Sequence, residues 1–358
     1  MEGMSKLKEL KEKIISLITS PNTKGYAVNN KRKLTVFSIT LLILLIVFFI
    51  GATTGSINMS IGRLFRGLFI AKDPDVATIL DLRFPRVLIA ILAGAAISTS
   101  GAMLQSVMKN PLTDPGIIGI SSAASLMSIL IVTFIPQLYF SIPIFAILGG
   151  FAAYFLIYSL AWDGGVNPVK LILVGVALNM TFVGFGEFFK AAAGGGANLS
   201  QVQSIVLGNI SQKTWADVKL MTVFVVFGLI ISYFLYKKCN ILSLEDKTAR
   251  ALGVNVDRDR FLVALVAIIL VSVSTSVVGV IVFLGLIVPH IAKLLVGSDH
   301  KIKLPYTMVL GALVLLLSDT IGRSLFAPYE IPAAIIMSIF GGPFFIFLLR
   351  RGGEGFGS

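Results

Sequence analysis

The chain has 358 residues, of which 56% are hydrophobic and only 13% charged, against roughly 25% charged in soluble globular domains. It carries a net charge of +12, one cysteine and two histidines. These few thiols and imidazoles argue against a disulfide framework, a thiolate cluster or a catalytic metal site. Lys and Arg are enriched next to membrane spans. In a chain this hydrophobic, we therefore attribute the positive charge to the membrane and not to a nucleic-acid partner. The composition therefore predicts a polytopic membrane protein.

Residues 1–33 are predicted to form an extension outside the hydrophobic core of the membrane. Leucine and isoleucine recur there at helical spacing, and lysines fill the positions between them. Such a pattern is typical of a helix that lies on a lipid surface. We expect an amphipathic helix in this extension, with the membrane domain over residues 34–351.

The stretch from Leu82 onward carries the most informative pattern of the chain. Arg83 and Arg86 precede about twenty uncharged residues that end at Lys109, which is long enough to cross a hydrocarbon core of about 30 Å. Small residues between positions 94 and 101 favour close helix packing. The segment NPLTDPG at 110–116, called the elbow here, is too rich in Pro and Gly to continue a helix.

The remaining apolar runs predict further spans along the chain. They cover residues 34–52, 117–135, 142–162, 169–189, 218–236, 261–280, 283–296, 304–321 and 331–349. A possible interfacial helix lies at 61–70, before the span that follows Arg86. Segment 283–296 is below the usual spanning length, so length alone leaves open a re-entrant or buried helix. Counting it gives ten spans.

The distribution of charge indicates the orientation. With ten spans, 21 of the 30 Lys and Arg residues lie on the side of the two termini, which predicts that both termini are cytoplasmic. Arg83, Arg86 and Arg323 then lie together on the outer face. Arginines near a membrane often contact lipid phosphate, but three at one face also suit carboxylates of a protein partner.

The charged segment at 242–254 is predicted to be a short cytoplasmic helix. Ser243 is a candidate N-cap, acidic residues follow in the first turn, and Gly253 is suited to end the helix. One face is formed by Leu244, Thr248, Ala251 and Leu252. This amphipathic face suggests a docking surface for a soluble partner, although a solvated connector between spans remains an alternative.

Ionisable residues within the spans are few. Glu187 and Asp319 fall near the predicted outer ends, where we expect them to be hydrated, and no series of acids resembles a proton relay. The chain also lacks the G-x-x-x-x-G-K-[ST] phosphate-binding loop. If ATP drives the protein, the ATPase is therefore another polypeptide.

Four segments carry a family resemblance that extends from about residue 34 to residue 351. They read LRFPRVLIAILAGAAISTSGAMLQSVMKNPLTDPGIIGIS, LEDKTARALGV, GLIVPHIAKLLVGSDH and DTIGRSLFAPYEIPAAIIMSIFGGPFFIFLLRR. The chain resembles the FecCD-type permease subunits of the type II ATP-binding cassette importers for iron siderophores, haem and cobalamin. The resemblance implies an all-α polytopic membrane protein of about ten transmembrane helices, similar to the cobalamin-importer permease.

The resemblance also implies partners. It implies a homodimer, or a heterodimer with a second permease, in a bacterial cytoplasmic membrane, with two cytoplasmic ATPase subunits and an extracytoplasmic substrate-binding protein. The binding protein would dock on Arg83, Arg86 and Arg323. ATP and Mg²⁺ would be bound by the ATPases, with no cofactor and no metal on this chain, no catalytic residue in it and no nucleic-acid partner.

Two groups of residues receive roles from the same resemblance. The ATPase-coupling residues would be Leu244, Glu245, Thr248, Ala249, Arg250, Ala251, Leu252 and Gly253. The translocation gate would comprise Asn110, Pro111 and Leu112, together with Asn167 and Pro168 before the fifth span.

We therefore expect the membrane subunit of an ATP-driven importer that carries a ferric siderophore inward, and not an enzyme. Haem or cobalamin is the alternative cargo. A secondary transporter driven by an ion gradient is the alternative class, and it predicts acids near the membrane midplane. A membrane scaffold without transport is a further alternative, but it leaves the elbow without a role.

Overall fold

The computed structural model describes residues 29–53, 74–161, 168–192, 208, 210–211, 213–325 and 329–352. These residues form twelve α-helices and one 3-10 turn, Pro136–Ser141. The helices are α1 Asn30–Thr53, α2 Pro74–Val107, α3 Ile120–Phe134, α4 Ile142–Ala161, α5 Pro168–Ala192, α6 Trp215–Phe234, α7 Tyr236–Leu242, α8 Asp246–Ala251, α9 Val256–Val278, α10 Leu284–Val296, α11 His300–Ser324 and α12 Ala333–Gly352.

The all-α class predicted from the sequence is confirmed. Seven helices are long and apolar enough to cross a membrane, and three shorter apolar helices, α3, α10 and α12, complete the ten predicted segments. Helix α10 has 13 residues, which is about 20 Å. It is shorter than a span because residues 279–283 before it are not helical.

Most helices extend beyond the apolar runs that predict them. Helix α9 begins at Val256 rather than at Phe261, because Asn255 caps it and accepts a hydrogen bond from the backbone N–H of Arg258 at 3.1 Å. Asp299 caps α11 in the same way, through the N–H of Lys301 at 3.0 Å. The backbone hydrogen bonds of these two helices thus begin before their apolar runs, at the capping residues.

Helix α2 is the centre of the bundle. It packs against α1, α6, α9, α10 and α11, and 83% of its most apolar stretch is buried, against 17% for α1 and for α5. The outer helices instead expose large apolar side chains over most of their length, as expected for surfaces that face lipid.

Two glycine pairs bring α2 close to its neighbours. Gly94 lies against Gly311 of α11, and Gly101 lies against Gly285 of α10, so closely that a Cβ atom on Gly94 or Gly101 would overlap the opposite backbone carbonyl. Small residues permit this backbone approach. The close packing predicted for positions 94–101 is therefore confirmed.

Three predictions fall on residues that the structure does not describe. They are the amphipathic helix in the N-terminal extension up to residue 28, the interfacial helix at 61–70, and the segment before α5 that includes Asn167.

The glycine contact of α2 with α10 can be tested with one methyl group. We expect Gly101→Ala to lower the free energy of unfolding by about 1–3 kcal/mol, because the backbone of Gly285 must move. The measurement is the thermal unfolding midpoint of the purified protein in detergent. Gly184→Ala is the matched control, since no atom lies within 4 Å of its Cβ position. Equal midpoints for the two variants would contradict the close approach.

Candidate transport site

The elbow forms hydrogen-bonded turns at the end of α2 and is not an extended loop. Asn110 is 3% exposed, and its side-chain oxygen accepts a hydrogen bond from the N–H of Leu112 at 2.9 Å. The N–H of Thr113 donates to the Asn110 carbonyl at 3.2 Å. Pro111 is exposed and Leu112 is partly buried. This turn places the predicted gate residues at the end of the bundle that we call the elbow end.

Asp114 holds the second half of the elbow in shape. Its carboxylate is fully buried and accepts hydrogen bonds from the N–H groups of Gly116 at 2.8 Å and Ile117 at 3.1 Å. It also lies beside the first turn of α10, near Gly285. A negative charge there is favourable, because the first backbone N–H groups of a helix carry partial positive charge. Asp114 therefore links the elbow to α10.

Helix α8 lies at the elbow end and presents an exposed apolar surface. Leu252 is 62% exposed and Leu244 is 41% exposed, and Thr248 and Ala251 are also exposed. Ala249 is 1% exposed and faces the bundle instead. Of the remaining predicted coupling residues, Glu245, Arg250 and Gly253 are exposed. The predicted amphipathic face is thus present, and Ala249 lies on the opposite, buried face of α8.

The predicted N-cap of this helix is wrong. Glu245 is the N-cap of α8, whereas Ser243 ends α7 and donates a hydrogen bond from its hydroxyl to the carbonyl of Cys239 at 2.8 Å. In a helix the carbonyl four residues earlier lies within reach of a serine hydroxyl, so Ser243 bonds back to α7 and does not cap α8. Gly253 ends the segment in the left-handed conformation, with φ +76°, as predicted.

Sequence reasoning missed Asp246 as a site residue. Its carboxylate accepts hydrogen bonds from Lys109, the residue before the elbow, and from Arg260 of α9 at 3.0 Å. Burial alone would raise the pKa of Asp246, but the hydrogen bond from Lys109 and the charge of Arg260 outweigh it and hold the pKa below its usual value. Asp246 is therefore ionised at neutral pH. The acidic residue in the first turn was visible in the sequence, but its distant partners were not.

The opposite end of α2 carries the three predicted docking arginines, which we call the arginine cluster. Arg83 donates to the carbonyl of Thr53 at 3.1 Å, and Arg323 donates to the carbonyl of Gly51. Both carbonyls belong to the last turn of α1, where no intrahelical N–H is available. Two of the three arginines thus cap α1, and all three are at most 8% exposed.

Arg86 forms the charged centre of the cluster. It binds Asp319 of α11 through Nε and NH2, at distances from 2.8 to 3.1 Å, and Glu330 through NH1 at 2.8 Å. Asp319 is 1% exposed, so its predicted hydration is wrong. An uncompensated carboxylate is costly to bury, and the two-point contact with a guanidinium makes burial possible. Glu187, by contrast, is exposed and pairs with Lys190 at 3.2 Å.

Glu330 is the outermost acid of this group. Its side chain is 48% exposed and accepts a second hydrogen bond from the hydroxyl of Ser211 at 2.7 Å. Burial opposes its ionisation, but Ser211 and the charge of Arg86 together lower the pKa of Glu330. Within the arginine cluster, three guanidinium groups thus face two carboxylates, a net charge of +1 for these five side chains. We call this end of the bundle the arginine end.

A half-open cavity of about 580 Å³ lies between the two ends. It is bounded by α3, α5, α12, residues 280–282 and Gly116 of the elbow. Most of its lining is apolar, and its polar side chains are Ser122, Ser125, Asn179, Glu187 and Ser338. The volume is in the range of small-molecule sites. A hydrogen bond from Ser122 to Asn179 joins α3 and α5 across one wall.

The lining has one carboxylate, that of Glu187, and none of the other side chains that commonly ligate iron. No His, Cys, Met or Tyr is among the cavity residues. Within the described residues, no group of three or more His, Cys, Asp or Glu could hold a metal ion. What the cavity offers is an apolar surface with a few hydroxyl and amide groups and the single carboxylate of Glu187, which suits an organic molecule better than a bare cation.

A family model described as the FecCD transport family matches residues 43–351. The chain belongs to this family. Its members are permease subunits of ATP-binding cassette importers, so this chain is a multi-pass membrane transport subunit and not an enzyme. A permease of this type works with an ATPase and a substrate-binding protein.

Sequence relatives agree with the family. The chain is 39% identical over 322 residues to proteins named "Probable heme-iron transport system permease protein IsdF" from Staphylococcus aureus strains Newman and USA300. These alignments cover 90% of this chain and 97% of each relative.

Two solved structures have a similar fold. An inward-facing ABC transporter assigned to the metal-chelate type matches with a TM-score of 0.74 at 28% identity, over 89% of this chain and 99% of the other. PsaBC from Streptococcus pneumoniae, in complex with Fab, matches with a TM-score of 0.57 at 20% identity, over 80% and 95% of the two chains. The second likeness concerns the fold alone.

Proposed function

We propose that this permease carries an iron chelate from the outside into the cytoplasm through the cavity between α3, α5 and α12. The observation that supports it best is this cavity, which is largely apolar, has no cluster of iron-ligating side chains among the described residues and lies between the arginine cluster and the elbow in a FecCD chain. A cavity with one carboxylate and no ligand cluster suits iron that arrives already chelated.

The sequence favours a ferric siderophore as the cargo. Haem is a second candidate, because the lining is mostly apolar and the relatives from Staphylococcus aureus are named as haem-iron permeases. Haem is a flat and largely apolar macrocycle, whereas most siderophores are polar. The cavity alone therefore favours haem over a hydrophilic chelate, and cobalamin, which is larger and more polar, is the weakest of the three.

Uptake by intact cells distinguishes these cargoes. Cells with and without the permease gene are given radiolabelled ferric siderophores, haem and cobalamin, first with ATP intact and then after ATP depletion. We expect the permease to be required for uptake of one iron chelate, and uptake to stop without ATP.

Each other result has a defined meaning in this experiment. Permease-dependent uptake of cobalamin alone would overturn the iron assignment. Uptake that persists after ATP depletion would favour a transporter driven by an ion gradient. A strain that carries the destabilised variant Gly101→Ala serves as a control, because it shows how far uptake falls when there is less folded permease.

We further propose that the elbow end is cytoplasmic and that α8, with its flanking residues 244–253, is the surface on which the ATPase docks. Exposed Leu252 and Leu244 support this, since apolar side chains grouped on an exposed surface mark a contact with a partner. The elbow residues Asn110, Pro111 and Leu112 lie at the same end and would form the inner gate, with Pro168 at the start of α5 as a further member.

Docking on α8 predicts a specific loss. We expect Leu252→Asp to abolish co-purification of the ATPase, because a carboxylate at the centre of an apolar contact remains unpaired. The permease itself remains inserted, since Leu252 is 62% exposed. Leu325→Asp at the arginine end, where Leu325 is 67% exposed, is the control and leaves co-purification intact. Normal co-purification with Leu252→Asp would count against this docking surface.

The arginine cluster is proposed as the docking surface for the substrate-binding protein. Its net positive charge suits acidic residues on such a partner. Arg86 already binds two carboxylates, however, and Asp319 is too deeply buried to exchange. An incoming acid would therefore displace Glu330, which is half exposed and holds only one nitrogen of Arg86.

If an acid of the binding protein displaces Glu330 from Arg86, then neutralising Glu330 should strengthen binding of that protein. We expect Glu330→Gln to raise the affinity for the cognate substrate-binding protein by about two- to fivefold at low salt. High salt should remove the gain by screening the charges. Surface plasmon resonance on nanodisc-embedded permease measures it. Glu187→Gln, which removes an exposed carboxylate paired elsewhere, is the control, and weaker binding with Glu330→Gln would exclude the exchange.

A second permease, identical or related, is proposed to complete the path. The cavity is half open, and its exposed edges are formed by α5 and α12. Phe182, Val183, Ile335 and Ile339 supply apolar surface there. A partner that covers this side would enclose the cargo between two chains.

A further inference from the structure

Lys109 adopts a backbone conformation that its side chain disfavours. Its φ is +51°, and Phe283 is the only other non-glycine residue with positive φ in the part of the chain that the structure describes. Lys109 ends α2, where the N–H of Asn110 donates to the carbonyl of Gln105 at 3.1 Å. Glycine is the usual residue at such a position, and another residue there costs roughly 1 kcal/mol. The lysine side chain therefore has a use that glycine cannot supply.

The side chain of Lys109 reaches from the start of the elbow to α8. Its amino group binds the carboxylate of Asp246 in the first turn of that helix. The two side chains are 28% and 43% exposed, and such a partly exposed pair contributes only about 0–1 kcal/mol to stability. Stability alone is thus a weak reason to keep a strained lysine at this position.

Asp246 has a second cation that stays in place. Arg260 of α9 is 6% exposed in its side chain and binds Asp246 at 3.0 Å. If Lys109 separates from Asp246, the carboxylate keeps Arg260 as its partner. When the pair opens, Asp246 therefore stays paired and the Lys109 amino group, whose side chain is 28% exposed, is solvated. The pair can thus have two arrangements.

The pair connects two parts of the permease that otherwise touch little. Among the described helices, α8 packs on α7 and α9, and the elbow packs on α10 through Asp114. Beyond Lys109 the chain continues through Asn110 to Gly116, which lines the cavity. A displacement of α8 thus has a short polar route to the cavity.

We propose that the Lys109–Asp246 ion pair transmits movement of α8 to the elbow, and that Lys109 is the positioning residue that couples the ATPase to the gate. This proposal rests on the proposed function of α8 as the ATPase-docking surface. It assigns a role to two residues that were not among the predicted coupling or gate residues. The left-handed backbone of Lys109 directs its amino group toward α8, and the ion pair with Arg260 holds the Asp246 carboxylate in position.

The test separates ATP hydrolysis from transport in one preparation. Permease, ATPase and substrate-binding protein are reconstituted in lipid vesicles, and cargo uptake and phosphate release are measured together. Lys109→Asn tolerates the left-handed backbone but removes the charge, and Lys109→Gly removes the side chain and the strain. For both we expect assembly and ATP hydrolysis to persist, while cargo carried per ATP falls about fivefold or more.

Two further variants separate a coupling role from a structural one. Lys109→Arg keeps the charge and should restore most of the uptake per ATP. Lys238→Asn breaks another ion pair at the same end, that of Lys238 with Asp259, without touching the elbow, and should leave the ratio unchanged.

The results distinguish this proposal from the one on which it rests. If the wild-type protein carries cargo with ATP and both uncharged variants carry as much per ATP, the ion pair has no coupling role and the proposed function stands. If both variants lose the ATPase altogether, Lys109 serves assembly and the coupling role is excluded. If the wild-type vesicles show no ATP-dependent uptake of any iron chelate, the proposed function fails as well.

Discussion

The close contact of α2 with α10 and α11 is the constraint on which the rest of the bundle depends. In a membrane, apolar surface gains nothing from leaving lipid, so helices associate through close van der Waals packing. The pairs Gly94–Gly311 and Gly101–Gly285 bring the backbones together. Because α2 also contacts α1, α6, α7 and α9, these two crossings fix the axis around which these helices are arranged.

Once α2 is fixed, its two ends carry the polar groups of the site. The arginine cluster ties the end of α1 to α2 and α11 through two carbonyls and Asp319. The other end passes into the elbow, where Asn110 and Asp114 satisfy the backbone N–H groups that follow α2 and α3 begins at Ile120. Polar and charged side chains thus hold both ends of α2.

Much of this arrangement could be predicted from residue order alone. Apolar runs predicted ten helical segments, the Pro and Gly residues of the elbow predicted the end of α2, and the small residues at 94–101 predicted close packing. Each of these signals is local, because it depends on residues within one or two helical turns.

The partners of buried charges could not be predicted in this way. Arg86 and Asp319 are 233 positions apart, and Lys109 and Asp246 are 137 apart, so no periodicity links them. The sequence alone therefore predicted that Asp319 is hydrated, whereas the fold buries it against Arg86. Helix boundaries failed for a related reason, since the caps Asn255 and Asp299 lie outside the apolar runs. Ser243 was misassigned because a hydroxyl can cap the next helix or bond back to the one before it.

The mostly apolar lining of the cavity also bears on how fast a cargo would pass under the proposed function. A wall with a few hydroxyl and amide groups offers few strong contacts, so a molecule inside it has a shallow free-energy minimum and a short residence time. Tight recognition inside the membrane would slow release on the far side, and this lining avoids that delay. Under the proposed function, such a lining would accept chelates of different chemical design, as long as each fits the volume.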